Sequence, residues 1–217
     1  VSNGTCGNLD SFTLEKAAEN RAVALKAGNS PEAKPLMLLD VYKNPALMDD
    51  FIAQLSLRDL ADLCSGQPSA IRWQTGGFGN MAEYGIPNSQ MLDGPAGIHT
   101  HELTTAWPIA TLLACTWNEG LLEEIGAAAA AEGLAVGADI WLAPALNIHR
   151  NILCGRNFEY YSEDPLVSGK MAAAMTRGTQ DGGLGVAIKH FAANNRESNR
   201  NDVDSRISER ALREIYL

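Results

Sequence analysis

The chain has 217 residues, 46% of them hydrophobic, and carries a net charge of −9. That length and apolar content support one large folded domain, or one with a small companion, and exclude disorder by composition. So negative a chain repels phosphate backbones, which argues against nucleic acid as a partner. Residues 12–27 are rich in Ala, Leu, Glu and Lys and read as a helix, stopped by Gly28-Asn29-Ser30-Pro31. A polar linker leads to the short apolar segment 36–42, and 46–64 carries a helical pattern with Phe51, Leu55 and Leu63 on one side. Residues 65–87 are rich in Gly and aromatics and read as a long structured loop.

Beyond that loop the pattern becomes regular. Residues 88–92 form a short strand ending at Asp93-Gly94-Pro95, and 118–133 a helix with Asn118 as N-cap and Gly133 as stop. Residues 139–143 are strand-like and closed by Pro144; 147–163 form a polar excursion. Residues 164–179 form a helix capped by Asp164 with Pro165 at its first position. A buried-type strand at 184–188 follows, then a helix opened by Ser208. Strand-helix alternation implies parallel strands with crossover helices, which fits a (β/α) barrel or a doubly wound sheet. The polar clusters follow strand C-terminal ends, the face on which barrel enzymes gather their active sites. The chain shows about three such units, against the eight of a closed barrel, and reads as a fragment cut at both ends.

Other signals are weak. No apolar run reaches the length of a membrane span, and no secretory leader precedes Val1, so a cytoplasmic location with no membrane partner is the expectation. Cys6, Cys64, Cys115 and Cys154 lie in no CxxC pair, so zinc is unsupported and reduced thiols are expected. His99, His101 and His149 repeat no ligand spacing, and no metal or cofactor is expected. Asn3-Gly4-Thr5 is a sequon that arises easily by chance. The Gly76-Gly77-Phe78-Gly79 run lacks the Lys of a phosphate loop, and no dinucleotide fingerprint follows any strand.

Three clusters carry chemistry. Asp93, at a strand end, can accept two sugar hydroxyls at once, or serve only as a turn aspartate before Gly-Pro. The loop from Asn147 to Pro165 holds Arg150 and Arg156 among acids and aromatics. Arg156 can donate a fork of hydrogen bonds to a sugar, with Glu159 holding it; structural ion pairs bracing a loop are the equal alternative. Lys189 and His190 follow an apolar strand directly, and both can reach a barrel mouth only where the backbone bends, through a strained or cis peptide for instance. Of the tryptophans, Trp73 in its Gly-rich loop is the best candidate to stack on a sugar, while Trp107, Trp117 and Trp141 are read as core.

Asp93-Gly94-Pro95, the run Gly155-Arg156-Asn157-Phe158-Glu159 through Ser162-Glu163-Asp164-Pro165, and Lys189-His190-Phe191 stand in that order. Together they resemble glycoside hydrolase family 3, of the β-glucosidase type, over residues 47–217. The resemblance implies an α/β fold, a partial (β/α)8 TIM-type barrel of about its first three β/α units. It would comprise 46–217, preceded by a helical extension or linker over 1–45. It implies a retaining hydrolase of β-glucosides, in which Asp93, Arg156, Lys189 and His190 bind the sugar, supported by Glu159, Arg150 and His99. Many members carry Arg at the position of His99. The family nucleophile lies in a Ser-Asp-Trp type motif on a later strand; this chain holds neither it nor the acid/base, so the fragment is expected to be inactive alone. Ala192-Ala193-Asn194-Asn195 after Phe191 looks like the glucosidase rather than the N-acetylglucosaminidase branch. The partners implied are a small carbohydrate, the rest of the barrel and a following domain, or a second copy covering exposed edges. A non-catalytic carbohydrate-binding or scaffold subunit is the alternative.

Overall fold

The computed structural model describes residues 34–68 and 75–217. The helix expected at 12–27, the Asn3 sequon, Cys6 and Trp73 lie outside the described residues. The fold is α/β, and the chain divides into two units, Val1–Pro68 with Gly77–Asn88, and Ser69–Gly76 with Ser89–Leu217.

In the first unit, α1 spans Leu38–Lys43, α2 Met48–Gln54 and α3 Leu57–Leu63. The single helix expected over 46–64 is therefore broken. Leu55 is extended, with φ −70 and ψ 136, and buries its side chain beside Val41 and Phe51. Ser56 then starts a new helix: its hydroxyl accepts from the Asp59 amide at 3.1 Å, and Asp59 accepts from the Ser56 amide at 2.8 Å. This reciprocal cap satisfies two amides that a continuous helix would have bonded internally, so the periodicity survives while the backbone turns. Tyr84 meets Phe51 edge to face, with ring centroids 6.5 Å apart.

Strand β1, Gly76–Met81, and β2, Ile86–Leu92, replace the later part of the loop expected at 65–87, of which 69–74 lie outside the described residues. Strand β1 gives little sign of itself in sequence because it is built on glycine. Gly79 has φ +86, and a Cβ there would lie 2.5 Å from the Pro87 carbonyl oxygen. A close backbone approach needs an absent side chain, and absent side chains give no alternating hydrophobic signal.

In the second unit, the end of β2 pairs in parallel with β3, Ile140–Trp141, and β3 with β4, Gly185–Val186. Helices α4, Ala110–Ala114, and α5, Glu119–Ala135, connect β2 to β3, while α6, Pro165–Asp181, connects β3 to β4. The three-residue α7, Glu209–Ala211, runs into a π-turn over Leu212–Tyr216. The caps at Asn118, Asp164 and Ser208 form through bonds of 3.2, 3.0 and 3.2 Å to the amides of Leu121, Val167 and Ala211. Gly133 does not stop α5. It is buried where a Cβ would come within 2.6 Å of Leu184 Cδ2, and the left-handed turn after the helix falls instead at Gly137, φ +80.

Parallel pairing is interrupted at Ala143, whose amide donates back to the Trp141 carbonyl at 2.8 Å, and at Pro144, which has no amide to donate. It resumes as a bridge between Ala145 and Lys189, with the Lys189 amide 3.1 Å from the Pro144 carbonyl and the Leu146 amide 2.7 Å from that of Lys189. The expected strands at 139–143 and 184–188 are shortened accordingly. At the start of the ladder Asp139 joins the neighbouring strands. Its carboxylate accepts from the Gln90 amide at 2.7 Å, its own amide donates to the Gln90 carbonyl, and its carbonyl accepts from Gly185 at 3.0 Å.

Helices α5 and α6 pack closely through glycines. A Cβ on Gly178 would sit 2.0 Å from the Glu123 carbonyl oxygen, and one on Gly126 2.6 Å from that of Met175. Beneath them Leu92, Leu122, Trp141, Met175 and Leu184 form the core, each such burial contributing about 1.5–3 kcal/mol. Trp107 packs against this core, Trp141 is inside it, and Trp117 is exposed. Cys64 and Cys115 are exposed and Cys154 is buried, all unpaired. Among the described residues, no helix is long and apolar enough to cross a membrane, and no cluster of His, Cys, Asp or Glu is gathered for a metal ion.

Candidate active site

Each chemical cluster follows the C-terminal end of a parallel strand in the second unit. Asp93 comes directly after β2, in a tight turn that needs Gly94 at φ +99. The turn closes with the Gly97 amide on the Gly94 carbonyl at 3.1 Å and the His99 amide on the Asp93 carbonyl at 3.0 Å. Buried Trp141 on β3 donates its indole N–H to the Gly94 carbonyl at 3.1 Å. The core itself therefore aims Asp93.

Lys189 comes from beyond β4, and its Nζ lies 2.6 Å from Asp93 Oδ1. The Gly94 amide donates to the same oxygen at 2.8 Å. Partial burial alone would raise the Asp93 carboxyl. The Lys189 hydrogen bond, the Gly94 amide, and the charges of Lys189 and His99 outweigh it, so the group titrates below the ordinary aspartate value. The Asp93 side chain remains 41% exposed, while that of Lys189 is 14% exposed. One face of the pair is thus open to a ligand.

The loop after β3 supplies the next residues. Asn147 clamps the chain beyond β4: its Oδ1 accepts from the Asn194 amide at 3.0 Å and its Nδ2 donates to the Asn194 carbonyl at 3.1 Å. His149 Nε2 lies 2.8 and 2.9 Å from the carbonyls of Asn157 and Tyr160; carbonyls only accept, so this nitrogen carries the proton. The Thr111 hydroxyl of α4 donates to the Tyr160 carbonyl at 2.9 Å. Between these holds, a single 3-10 turn over Asn157–Glu159 turns Glu159 and Tyr160 inward, both buried.

Glu159 is the centre of the charge arrangement. One carboxylate oxygen accepts a hydrogen bond from Arg156 Nε, and the other lies 3.9 Å from Lys189 Nζ. Arg156 also approaches Glu197 at 3.7 Å. Burial would lower the Arg156 guanidinium, but the Glu159 hydrogen bond and the charges of Glu159 and Glu197 raise it above its ordinary value.

His190 joins this group through Tyr160. Its Nδ1 is 2.8 Å from the Tyr160 hydroxyl, and the two rings meet edge to face at 5.8 Å. Asn194 Nδ2 donates to the same hydroxyl at 2.9 Å and to Glu197 Oε1 at 2.7 Å. Burial, then the charges of Arg156 and Lys189, push His190 down to about 4, against smaller opposing effects of Glu197 and Asp93; the ring is neutral at pH 7. The peptide bond between Lys189 and His190 is cis.

The structure thus brings Asp93, Arg156, Lys189 and His190 into one network joined through Glu159, Glu197, Asn194 and Tyr160. His99 is exposed beside the Asp93 turn, its ring carbon Cδ2 2.7 Å from where a Cβ on Gly94 would stand. Arg150 is exposed and lines a separate cleft of about 840 Å³ with Arg196 and Arg206. Sequence patterns assign no role to Tyr160, Asn194, Glu197 or Asn147. Their only signal is adjacency: each sits within or just beside a motif that stands out, and nothing in residue type shows which side chains interlock.

A family model described as the glycosyl hydrolase family 3 N terminal domain matches residues 80–217. Beta-glucosidase A of Butyrivibrio fibrisolvens is 52% identical over 190 residues, covering 86% of this chain and 23% of that protein. The crystal structure of a β-glucosidase from Paenibacillus barengoltzii superposes with a TM-score of 0.77 and 43% identity, covering 85% of this chain and 21% of that one. The structure of β-glucosidase 3B from Thermotoga neapolitana in complex with glucose gives a TM-score of 0.68 and 46% identity, covering 76% and 26%. The chain spans about a fifth to a quarter of the length of these relatives.

Proposed function

This chain belongs to glycosyl hydrolase family 3, and from that premise we propose that it supplies the sugar-holding side of the active site of a retaining β-glucosidase. Strands β2, β3 and β4 are the opening strands of a (β/α)8 barrel, and the residues at their C-terminal ends grip one glucosyl ring. Asp93 accepts from two hydroxyls at the open edge of the site. Lys189, Arg156 and His190 donate to the ring's other oxygens, and Glu159 keeps both cations in place. A carboxylate nucleophile and a carboxylic acid/base, needed for the two displacements of a retaining reaction, come from polypeptide outside these 217 residues, which contain no Ser-Asp-Trp segment.

The observation that supports this reading most is the Asp93–Lys189 pair, which joins the ends of β2 and β4 while leaving the carboxylate partly open. An acceptor pair flanked by donors matches the alternating donor and acceptor character of vicinal sugar hydroxyls. Burying a structural ion pair would not require that opening.

The test uses the 217-residue chain. It should bind glucose saturably, followed by heteronuclear NMR with shifts centred on Asp93, Lys189 and His190, and should show no turnover of an aryl β-glucoside. Addition of the polypeptide that carries a Ser-Asp-Trp segment should restore turnover. Glucose shifts scattered away from these residues, or turnover by the chain alone, would overturn the reading. Binding without turnover in every combination would favour a non-catalytic carbohydrate-binding subunit.

A further inference from the structure

We infer that Glu197, Asn194 and Tyr160 form a directional relay that holds His190 in the tautomer with its proton on Nε2, making it an obligate donor toward the site. The argument follows the hydrogen atoms. A carboxylate can only accept, so the amide edge of Asn194 facing Glu197 Oε1 at 2.7 Å is its NH2. That group's second hydrogen points to the Tyr160 oxygen at 2.9 Å. The phenol oxygen is then already an acceptor, and its single proton needs an acceptor of its own. Tyr160 is fully buried, so an unpaired O–H there would be costly. The acceptor within reach is His190 Nδ1 at 2.8 Å. With a proton donated to Nδ1, the neutral ring carries its own proton on Nε2.

Three further observations agree. His190 titrates at about 4 and is neutral at pH 7, so a tautomer exists to be chosen. Burial holds the Tyr160 phenol at about 12, against the lowering by Asn194 and Arg156, so it keeps the proton it must donate. Burial would raise Glu197, but the Asn194 hydrogen bond and the charge of Arg156 outweigh it and keep it ionised. The relay is also mechanically held. The Asn194 backbone is clamped by Asn147, and the Tyr160 carbonyl is gripped by Thr111 and His149. Tyr160, Asn194 and Glu197 are accordingly positioning residues.

The consequence for ligand choice rests on the proposed function. A neutral N–H donor beside Lys189 and Arg156 is complementary to an oxygen lone pair and opposed to a cation. The site would take a hydroxyl at the position facing His190 and refuse an ammonium there, so neutral hexoses are accepted and an aminodeoxy sugar protonated at that carbon is excluded.

The test reads nitrogen shifts of the full chain, whose four histidines keep the spectrum simple. In long-range proton–nitrogen spectra at pH 7 without sugar, His190, identified by loss of its signals in His190→Gln, should show a pyridine-type Nδ1 and a pyrrole-type Nε2. In Tyr160→Phe the two nitrogen shifts should move toward each other as the tautomers mix, while His149, held by backbone carbonyls, keeps its own. A pyrrole-type Nδ1 in the unaltered chain would overturn the relay, as would Tyr160→Phe shifts identical to the parent. Should Tyr160→Phe fail to fold, the spectrum of the unaltered chain still decides the direction of donation. None of these readouts involves sugar, so failure of glucose to bind would refute the proposed function and leave the tautomer result standing.

Discussion

Lys189 Nζ and Asp93 Oδ1 meet at 2.6 Å although 96 positions separate the residues in the chain. Each follows the end of a different parallel strand, so their contact reports the pairing of β2, β3 and β4 as much as the site. An exposed ion pair contributes little to stability, typically under about 1 kcal/mol, and the Asp93 end of this one is 41% exposed. Under the proposed function its value lies in pre-placing an acceptor and a donor for a ligand.

Asp93→Asn should therefore damage binding far more than folding. Loss of a charge-assisted acceptor costs about 1.5–3 kcal/mol, roughly 10- to 100-fold in affinity for glucose. Titration calorimetry or NMR gives the affinity and urea unfolding the stability. Equal glucose affinity in the two proteins would refute a binding role for Asp93.

Glu159→Gln should show the opposite balance. Glu159 is buried and serves two cations, so its neutralisation leaves Arg156 and Lys189 short of countercharge. Breaking a buried pair costs about 3–5 kcal/mol; Glu197 and Asp93 retain part of the compensation, so a loss of about 2–3 kcal/mol is expected in urea unfolding.

His190 sets a pH dependence of stability. Its pKa falls from 6.5 to about 4 on folding, so between those values the unfolded chain binds more protons. Stability from this group is complete above about pH 6.5 and is lost as pH falls toward 4. The lowered Asp93 has the same sign, but acts only below the ordinary aspartate value. The half-buried ring reduces the effect to about 2 kcal/mol at most. Comparing unfolding at pH 7 and pH 4.5, His190→Gln should lose less stability than the parent; an equal loss would place the titrating group elsewhere.

Two glycines in the same helix, α6, should respond in opposite directions. Ala favours a helix over Gly by about 1 kcal/mol. Gly169 has nothing within 4 Å of its virtual Cβ, so Gly169→Ala should raise the melting temperature. At Gly178 the added carbon meets the backbone of Glu123 at 2.0 Å, and forcing the helices apart costs about 1–3 kcal/mol or more. There the clash outweighs propensity, and Gly178→Ala should melt lower.

Capping and crossover helices are legible in the sequence because the deciding interactions are local. Asn118, Asp164 and Ser208 each satisfy amides within their own first turn, and such bonds leave a mark in residue order. Gly79 and Gly133 mislead for one reason. Each is chosen for a distant atom, the Pro87 carbonyl or the Leu184 side chain, that sequence spacing does not contain. The four candidates Asp93, Arg156, Lys189 and His190 stand out through their motifs. The buried shell of Tyr160, Asn194 and Glu197 does not, since which donor meets which acceptor is decided only when loops after β3 and β4 close on each other.

Asp139 joins its neighbouring strands at Gln90 and Gly185, where the parallel ladder begins, whereas Asp93 and Lys189 lie just past its C-terminal end. The fastening and the chemistry are thereby uncoupled. Under the proposed function, the loops that carry Asp93 and Lys189 can be exchanged to alter which glycoside is chosen while the tie at Asp139 keeps the strands in step, which makes them a favourable place for divergence or redesign of specificity.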